Sequence, residues 1–462
     1  MRRAAVAARQ HNQGGWTQRG MLASLVALLL LCVAPRASAE TFPRPASFDP
    51  AVDFWVSIFA TYSSNQVVLH DSRHLDVVYE VLDFRDRADA DGRLDAAARR
   101  YRKKTVEAAE KRIAATLRRL DRYAGQPPEI TRHEARMRDR VRHLPGKDRY
   151  RNAARRVRSQ SGLRERFSAG LMRQSGYLEE MEAIFRARGL PVDLVRMPLV
   201  ESCFDVDAWS KAGAAGVWQF MPATGRQYLK INSAVDERRD PIRATEAAAE
   251  HLRRDHEALG SWPLAITAYN HGRGGMQKAM RQHGSDFESM VHEYRGRRFG
   301  FASRNFYVEF LAAVEVARNA DAYFGKLPEL QAPRSREVKL RRSMRLNDAA
   351  RHVGASREDL IAMNPAFLRR VRYGVDRIPR GYRVRVPHGP HDVGLALTRR
   401  NSGRDVPERD EPKIVVHKVS RGQTLGGIAR RYGVTVRELQ KMNGVRNPRR
   451  IQIGQKLMVP VG

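Results

Sequence analysis

The chain has few cysteines, few acidic residues relative to basic ones, and few long apolar runs. Each shortage removes a class of protein. Only Cys32 and Cys203 are present, which excludes a disulfide framework. The fourteen histidines are scattered without a repeated ligand spacing, so no metal site is expected. No glycine-rich phosphate loop occurs, and no cofactor is expected. After Ala34 no apolar run approaches the roughly 20 residues that a membrane-spanning helix needs. Acids number 51 against 84 Lys and Arg, a net charge of +33, which favours polyanionic partners.

The first 39 residues read as an export signal. Arg2, Arg3, Arg9 and Arg19 precede an apolar stretch from Met21 to Ala34, and Ala37-Ser38-Ala39 offers the small residues a signal peptidase needs. The leader is long enough that Met21 is an alternative initiator. Cleavage before Cys32, followed by lipid attachment there, is disfavoured by the bulk of Leu31. Export places the mature chain in the periplasm or cell envelope, with outer-membrane association left open. It argues against nucleic acid and for anionic envelope polymers as partners. Cys203, the cysteine that remains, reads as a small apolar core residue. Much of the positive charge lies in mixed-sign runs such as 97–122, which read as solvated helix faces.

The pattern predicts a mainly α chain. From Phe54 to Phe84 β-branched and aromatic residues predict a few short strands, as in Gln66-Val67-Val68-Leu69 and Val77 to Leu82. From Arg93 to about Arg188 apolar residues recur three and four apart, predicting helices broken near Gly125 to Pro128 and Pro145-Gly146. A further helical set follows Pro191 and runs to about Tyr323, with breaks at Gly213 to Gly216, Pro241, Pro263 and Gly272 to Gly275. A linker follows at Pro328 to Arg336.

Beyond it lies an internal repeat. Leu346, Ala350, Gly354, Leu360, Met363 and Asn364 recur 79 positions later as Leu425, Ala429, Gly433, Leu439, Met442 and Asn443. Val386-Pro387 recurs as Val459-Pro460, so the first copy carries six more residues in its second half. Each copy reads as strand, two short helices, strand, a small α+β (βααβ) module. The segment 389–412 between them is polar and reads as a linker. In the second copy, Val419 to Leu425, Ile428-Ala429, Tyr432-Gly433, Leu439, Asn443 and Ile453 to Leu457 resemble the LysM domain. That resemblance implies binding of N-acetylglucosamine-containing glycans, in a shallow groove formed around Gly422, Gln423, Thr424 and Leu425 and around Asn447 to Ile453. The first copy has Arg341-Arg342-Ser343-Met344-Arg345 where the glycan-side turn is expected, which leaves its binding in doubt. From residue 413 onward eleven Lys or Arg face Glu438 alone, adding attraction to an anionic wall.

Glu201 is the candidate reactive residue. It follows the apolar run Leu194, Val195, Met197, Leu199 and precedes the small-residue segment Gly213 to Gly216, so burial would favour its protonated form. Glu201-Ser202, Gly213-Ala214-Ala215-Gly216, Trp218-Gln219-Phe220-Met221-Pro222, Asp236 to Pro241, Trp262-Pro263 and Ala268-Tyr269-Asn270-His271-Gly272 follow in order. Together they resemble the soluble lytic transglycosylase catalytic domain, and with the C-terminal LysM they resemble the family 1 enzymes of that type. The implied plan is a signal peptide (1–39), a mostly helical N-terminal region (40–159), a lysozyme-like helical catalytic domain (160–327), a degenerate LysM-like module (336–388), a linker (389–412) and a LysM domain (413–461).

The resemblance implies cleavage of the β-1,4 bond between N-acetylmuramic acid and N-acetylglucosamine in peptidoglycan, leaving 1,6-anhydromuramoyl ends. Glu201 would serve as acid and then as base. Ser202, Gly216, Trp218, Gln219, Met221, Tyr269 and Asn270 would line the substrate site, with Trp218 and Met221 equally readable as core. Two alternatives stay open. A lysozyme-type muramidase would need a second carboxylate, for which Asp205, Asp207 and Asp240 are available. A non-catalytic wall-binding scaffold would rely on the LysM copies alone.

Overall fold

The computed structural model describes residues 41–330, 335–388 and 413–461. The expected export signal, Cys32 and the 389–412 linker lie outside these residues. Mainly helical, the described residues carry three small antiparallel sheets. Among the described residues no helix is long and apolar enough to cross a membrane.

Helix α1 (Asp49–Ala60) opens the described chain, followed by strands β1 (Gln66–Asp71) and β2 (Val78–Asp83). Both strands fall within the stretch expected to hold them. Residues 54–60, also in that stretch, are helical instead. Pro50 at the first turn starts α1, and Val52, Trp55, Ile58 and Phe59 recur at helical spacing on its buried face. Helices α2 (Ala96–Arg122), α3 (Arg132–Val141) and α4 (Arg149–Arg156) follow, with α2 capped by Asp95 and α3 by a Thr131/Glu134 capping box. The predicted helical region is then interrupted by β3 (Val157–Ser161), which pairs antiparallel with β1 and makes β1 the central strand of a β2-β1-β3 sheet. No apolar periodicity marked that strand; its partner selects it.

Strand β1 is buried on both faces. Leu69 joins a core with Ile113 and Leu117 of α2, whereas Val68 joins the main core, as the two-residue period of a strand requires. That main core gathers α1, α5 (Arg164–Arg186), α6 (Met197–Ser202), α8 (Pro241–Leu259), α9 (Trp262–His271) and α12 (Phe301–Arg318). The short α7 (Pro222–Gly225) precedes α8; α10 (Arg273–His283) and α11 (Phe287–Glu293) lie between α9 and α12, and α13 (Ala320–Phe324) follows. Phe59 of α1 stacks on Phe167 of α5 with ring centroids 4.7 Å apart, so the N-terminal helix belongs to the same packed unit as the elements that carry Glu201.

Each repeat copy has the expected order. The first is β4 (Ser335–Lys339), α14 (Leu346–Val353), α15 (Arg357–Met363), an added turn α16 (Arg369–Arg372) and β5 (Arg383–Pro387). The second is β6 (Lys413–Lys418), α17 (Leu425–Arg431), α18 (Val436–Asn443) and β7 (Lys456–Val461). In both, the strands pair antiparallel. Asn364 and Asn443 do the same work: each side chain bonds the preceding helix turn and both directions of the last strand's backbone, at 2.6–3.0 Å.

Candidate active site

Glu201 stands on the last turn of α6. Pro198 starts this six-residue helix, whose inward residues Met197 and Leu199 are fully buried. The chain reverses immediately after it through two consecutive left-handed residues, Cys203 (φ 49°) and Phe204 (φ 54°), a conformation that costs non-glycine residues energy. The surroundings hold it in place. Phe204 N–H donates to Pro198 O at 3.0 Å, and the Arg173 guanidinium donates to the carbonyls of Cys203 (2.7 Å) and Phe204 (3.0 Å). A Cβ on Gly170 of α5 would lie 2.6 Å from Cys203 O, so only glycine lets α5 approach this turn.

The Glu201 carboxyl has no hydrogen bond or ion pair among the described residues, while the side chain stays half-buried. Burial pushes it up to about 8, which keeps it protonated at neutral pH. Cys203 is buried, as a core residue should be.

Opposite lies the small-residue loop. Gly216 has φ 74°, and a Cβ there would sit 1.8 Å from Arg238 O, so both the torsion and the contact demand glycine. Gln219, also left-handed at φ 48°, turns its side-chain amide back to donate to Gly216 O at 2.8 Å. Ser202 latches this loop to α6: its hydroxyl bonds Val217 O (2.9 Å) and accepts from Asp205 N–H (3.2 Å). It is buried, so its role is to fix the loop rather than to face a ligand. Trp218 likewise belongs to the core. Fully buried, it stacks on Phe185 and donates its indole N–H to Thr245 Oγ1 at 2.8 Å. Its ring is therefore core, because the tertiary fold closes α5 and α8 over it, while its backbone carbonyl stays on the loop. Met221 is exposed and remains available to a ligand.

Helix α9 supplies the other wall. The Tyr269 hydroxyl donates to Trp218 O at 2.8 Å, and the field of Glu201 adds to burial in holding its phenol protonated. Asn270 is exposed; its carbonyl accepts from Ser303 Oγ of α12 at 2.8 Å, which points the amide group as a donor away from α12.

Of the three carboxylates considered for a second acid, each is engaged elsewhere. Asp207 pairs with Arg239, Asp205 accepts the Asp207 N–H at 3.0 Å, and Asp240 caps α8. A residue not foreseen takes their place. Glu309 of α12 is half-buried, lacks an ion-pair partner among the described residues, and is raised to about 8 by burial and by the neighbouring Glu201 charge. Its only sequence signal is an acid amid the apolar positions of a core helix. Arg158 of β3 acts on it in the opposite sense and lies 4.1 Å from the Phe301 ring centroid. The N-terminal sheet thus brings a positive charge to Glu309.

The family described as Transglycosylase SLT domain matches residues 183–289, and that described as LysM domain matches residues 417–460. The two stretches are thus similar to these two families in the order the sequence suggested. Membrane-bound lytic murein transglycosylase D of Escherichia coli (strain K12) is 28% identical over 306 residues, 63% of this chain and 65% of that relative. The chain therefore spans just under two thirds of the length of this relative. A putative tributyltin chloride resistance protein of Alteromonas sp. (strain M-1) is 36% identical over 110 residues, 23% of this chain and 53% of the relative. Among solved structures, an inactive mutant of lytic transglycosylase Slt from Pseudomonas aeruginosa matches at 20% identity over 31% of this chain and 24% of that one, with a TM-score of 0.26. The SLT match contains Glu201, the Gly216 to Met221 loop, Tyr269 and Asn270; Glu309 falls outside it.

In the C-terminal module the residues flanking the two expected segments are joined, Val419 N–H donating to Gln455 O (2.8 Å) and Gly454 N–H to Val419 O (2.7 Å). Their side chains divide by role. Leu425 is fully buried in the module core and is not available to a ligand; Thr424 caps α17, and Gln423 bonds His417 and Ser420 N–H. Asn447 accepts the Arg449 N–H and closes its own turn. Gly422 provides the left-handed turn at φ 83°, and Ile453, 68% exposed, offers an apolar face.

Proposed function

We propose that this protein is a peptidoglycan lytic transglycosylase of the cell envelope, cleaving the β-1,4 bond between N-acetylmuramic acid and N-acetylglucosamine. The observation that carries this reading is the Glu201 carboxyl, unpartnered among the described residues, desolvated to about 8 and neighbouring Tyr269, whose hydroxyl bonds the carbonyl of Trp218 on the small-residue loop. Protonated, it donates to the glycosidic oxygen as the C1–O4 bond breaks, and the N-acetylglucosamine side leaves as an alcohol. The cationic muramoyl C1 is stabilised by the substrate's own N-acetyl carbonyl. Glu201, now a carboxylate, takes the proton from the muramoyl C6 hydroxyl as O6 bonds to C1, and the acid is regenerated without water. In this reading Asn270 donates to the N-acetyl group, Tyr269 and Gln219 hold the loop, and Met221 packs against sugar. Ile453 and the Gly422 turn of the LysM domain hold the glycan strand.

A muramidase reading competes because Glu309 provides a second carboxyl near Glu201. Mass spectrometry of digested sacculi separates the two. Anhydromuramoyl products are expected; products heavier by one water would overturn the transglycosylase reading.

A further inference from the structure

The first repeat copy differs from the second in what it touches. Its core includes Ala234 and Val235, two residues from the loop before α8 of the SLT unit, packed with Phe367, Ile378 and Tyr382. The junction is also bonded through backbone. Val235 and Phe367 form an antiparallel bridge, Asp236 N–H donates to Ala366 O and Leu368 N–H to Ala234 O, both at 2.9 Å. The gripping residues 366–368 lie in the half of the copy that is six residues longer than its counterpart.

From this junction a short series of contacts reaches the cleft. The Asp236 carboxylate holds the Arg238 guanidinium at 2.7 and 2.9 Å in a pair that is almost fully buried. The same guanidinium donates to Gly213 O (2.8 Å) and Phe220 O (2.9 Å), the two shoulders of the loop that faces Glu201. Arg238 O is the atom against which Gly216 is pressed. A second contact runs through Asp240, which caps α8 and lies 3.4 Å from Arg385 of β5; α8 in turn holds Trp218 through Thr245. A buried ion pair is costly unless every donor and acceptor is aligned, so the segment that sets the Asp236 backbone also sets how the loop is held.

We propose that the 336–388 copy is a buttress of the catalytic cleft: its Ala366–Leu368 segment positions the Asp236–Arg238 pair and, through it, the Gly216 to Phe220 loop opposite Glu201. Its task is intramolecular and its residues are positioning residues. The missing glycan-side turn, replaced by Arg341 to Arg345, fits a module no longer selected by sugar.

The test uses the full chain. Leu368 sits at φ −78°, which proline tolerates, so Leu368→Pro removes one junction hydrogen bond with little other disturbance. Turnover of short soluble muroglycans is expected to lose about tenfold or more in kcat, with KM and sacculus binding little changed. Unchanged kcat would overturn the proposal, and loss of sacculus binding with kcat retained would make the copy a glycan-binding module. Amide exchange on the unaltered protein provides a readout that does not depend on the proposed activity. The Asp236 and Leu368 amides should exchange as slowly as those of α8; fast exchange at both would show that the junction does not hold, whatever reaction the cleft performs.

Discussion

The two βααβ copies share a strand pairing, a helix pair and an asparagine clamp, yet they are embedded differently. The second closes its core with its own residues, Val419, Leu425, Ile428, Leu439, Leu457 and Val459 among them. The first completes its core with Ala234 and Val235 of the SLT unit. The same module can therefore stand as a self-contained tail or be built into the frame of a neighbouring unit. What separates the two is a short insertion that presents backbone donors and acceptors to a neighbouring loop.

The largest effect expected leaves both copies in place. Glu201→Gln keeps the shape and removes the transferable proton, so turnover should fall by about 10³-fold while sacculus binding persists. The same variant carries a stability signature. A carboxyl raised from 4.5 to about 8 favours folding fully below 4.5 and loses that contribution as pH rises through 8. Thermal melts should therefore show Glu201→Gln gaining on the unaltered protein between pH 5 and 9, with the largest gain at the alkaline end. A gap that did not grow with pH would contradict the buried acid.

The comparison itself is sharpened by paired truncations. Phe367→Ala and Leu425→Ala each empty a fully buried site and should each cost roughly 3 kcal/mol. Calorimetry should place the first loss in the transition of the SLT unit and the second in a separate LysM transition. One common transition for both would show that the two copies are embedded alike. Deleting residues 413–462 should weaken sacculus pelleting while short-glycan turnover stays within about twofold, because the tail adds local concentration rather than chemistry. The smallest effect is expected from Glu309→Gln. Burial alone raises Glu201, whereas Glu309 is raised by burial and by the Glu201 charge, so the alkaline limb of the kcat/KM profile should stay within a fraction of a pH unit of the unaltered protein's; a larger displacement would show that Glu309 sets the ionisation of Glu201.

Local patterns in the chain exposed a large part of this. Glu201 was legible because an apolar run followed by small residues is a local signature of a desolvated acid, and Tyr269 and Asn270 followed in the same ordered motif. Trp218 was ambiguous since an aromatic at helical spacing serves core and cleft equally; only the packing of Phe185 and Thr245 assigns it. Glu309 carried no motif, being one of two acids on a helix whose core face is apolar. Strand β3 was hidden for a similar reason: Val157 to Ser161 has no strong preference of its own and is extended because β1 has an open edge.

By itself the sequence determined the helical class, the repeat, the acid and the order of its neighbours, because spacing, capping residues and glycine turns act over a few residues. Only the tertiary structure decided that Glu309 neighbours that acid and Arg158 acts on Glu309, that the Trp218 ring and Leu425 are core, and that one repeat copy is joined to the loop before α8. Those outcomes depend on which distant segments meet, and burial, charge coupling and backbone pairing come into being only when they do.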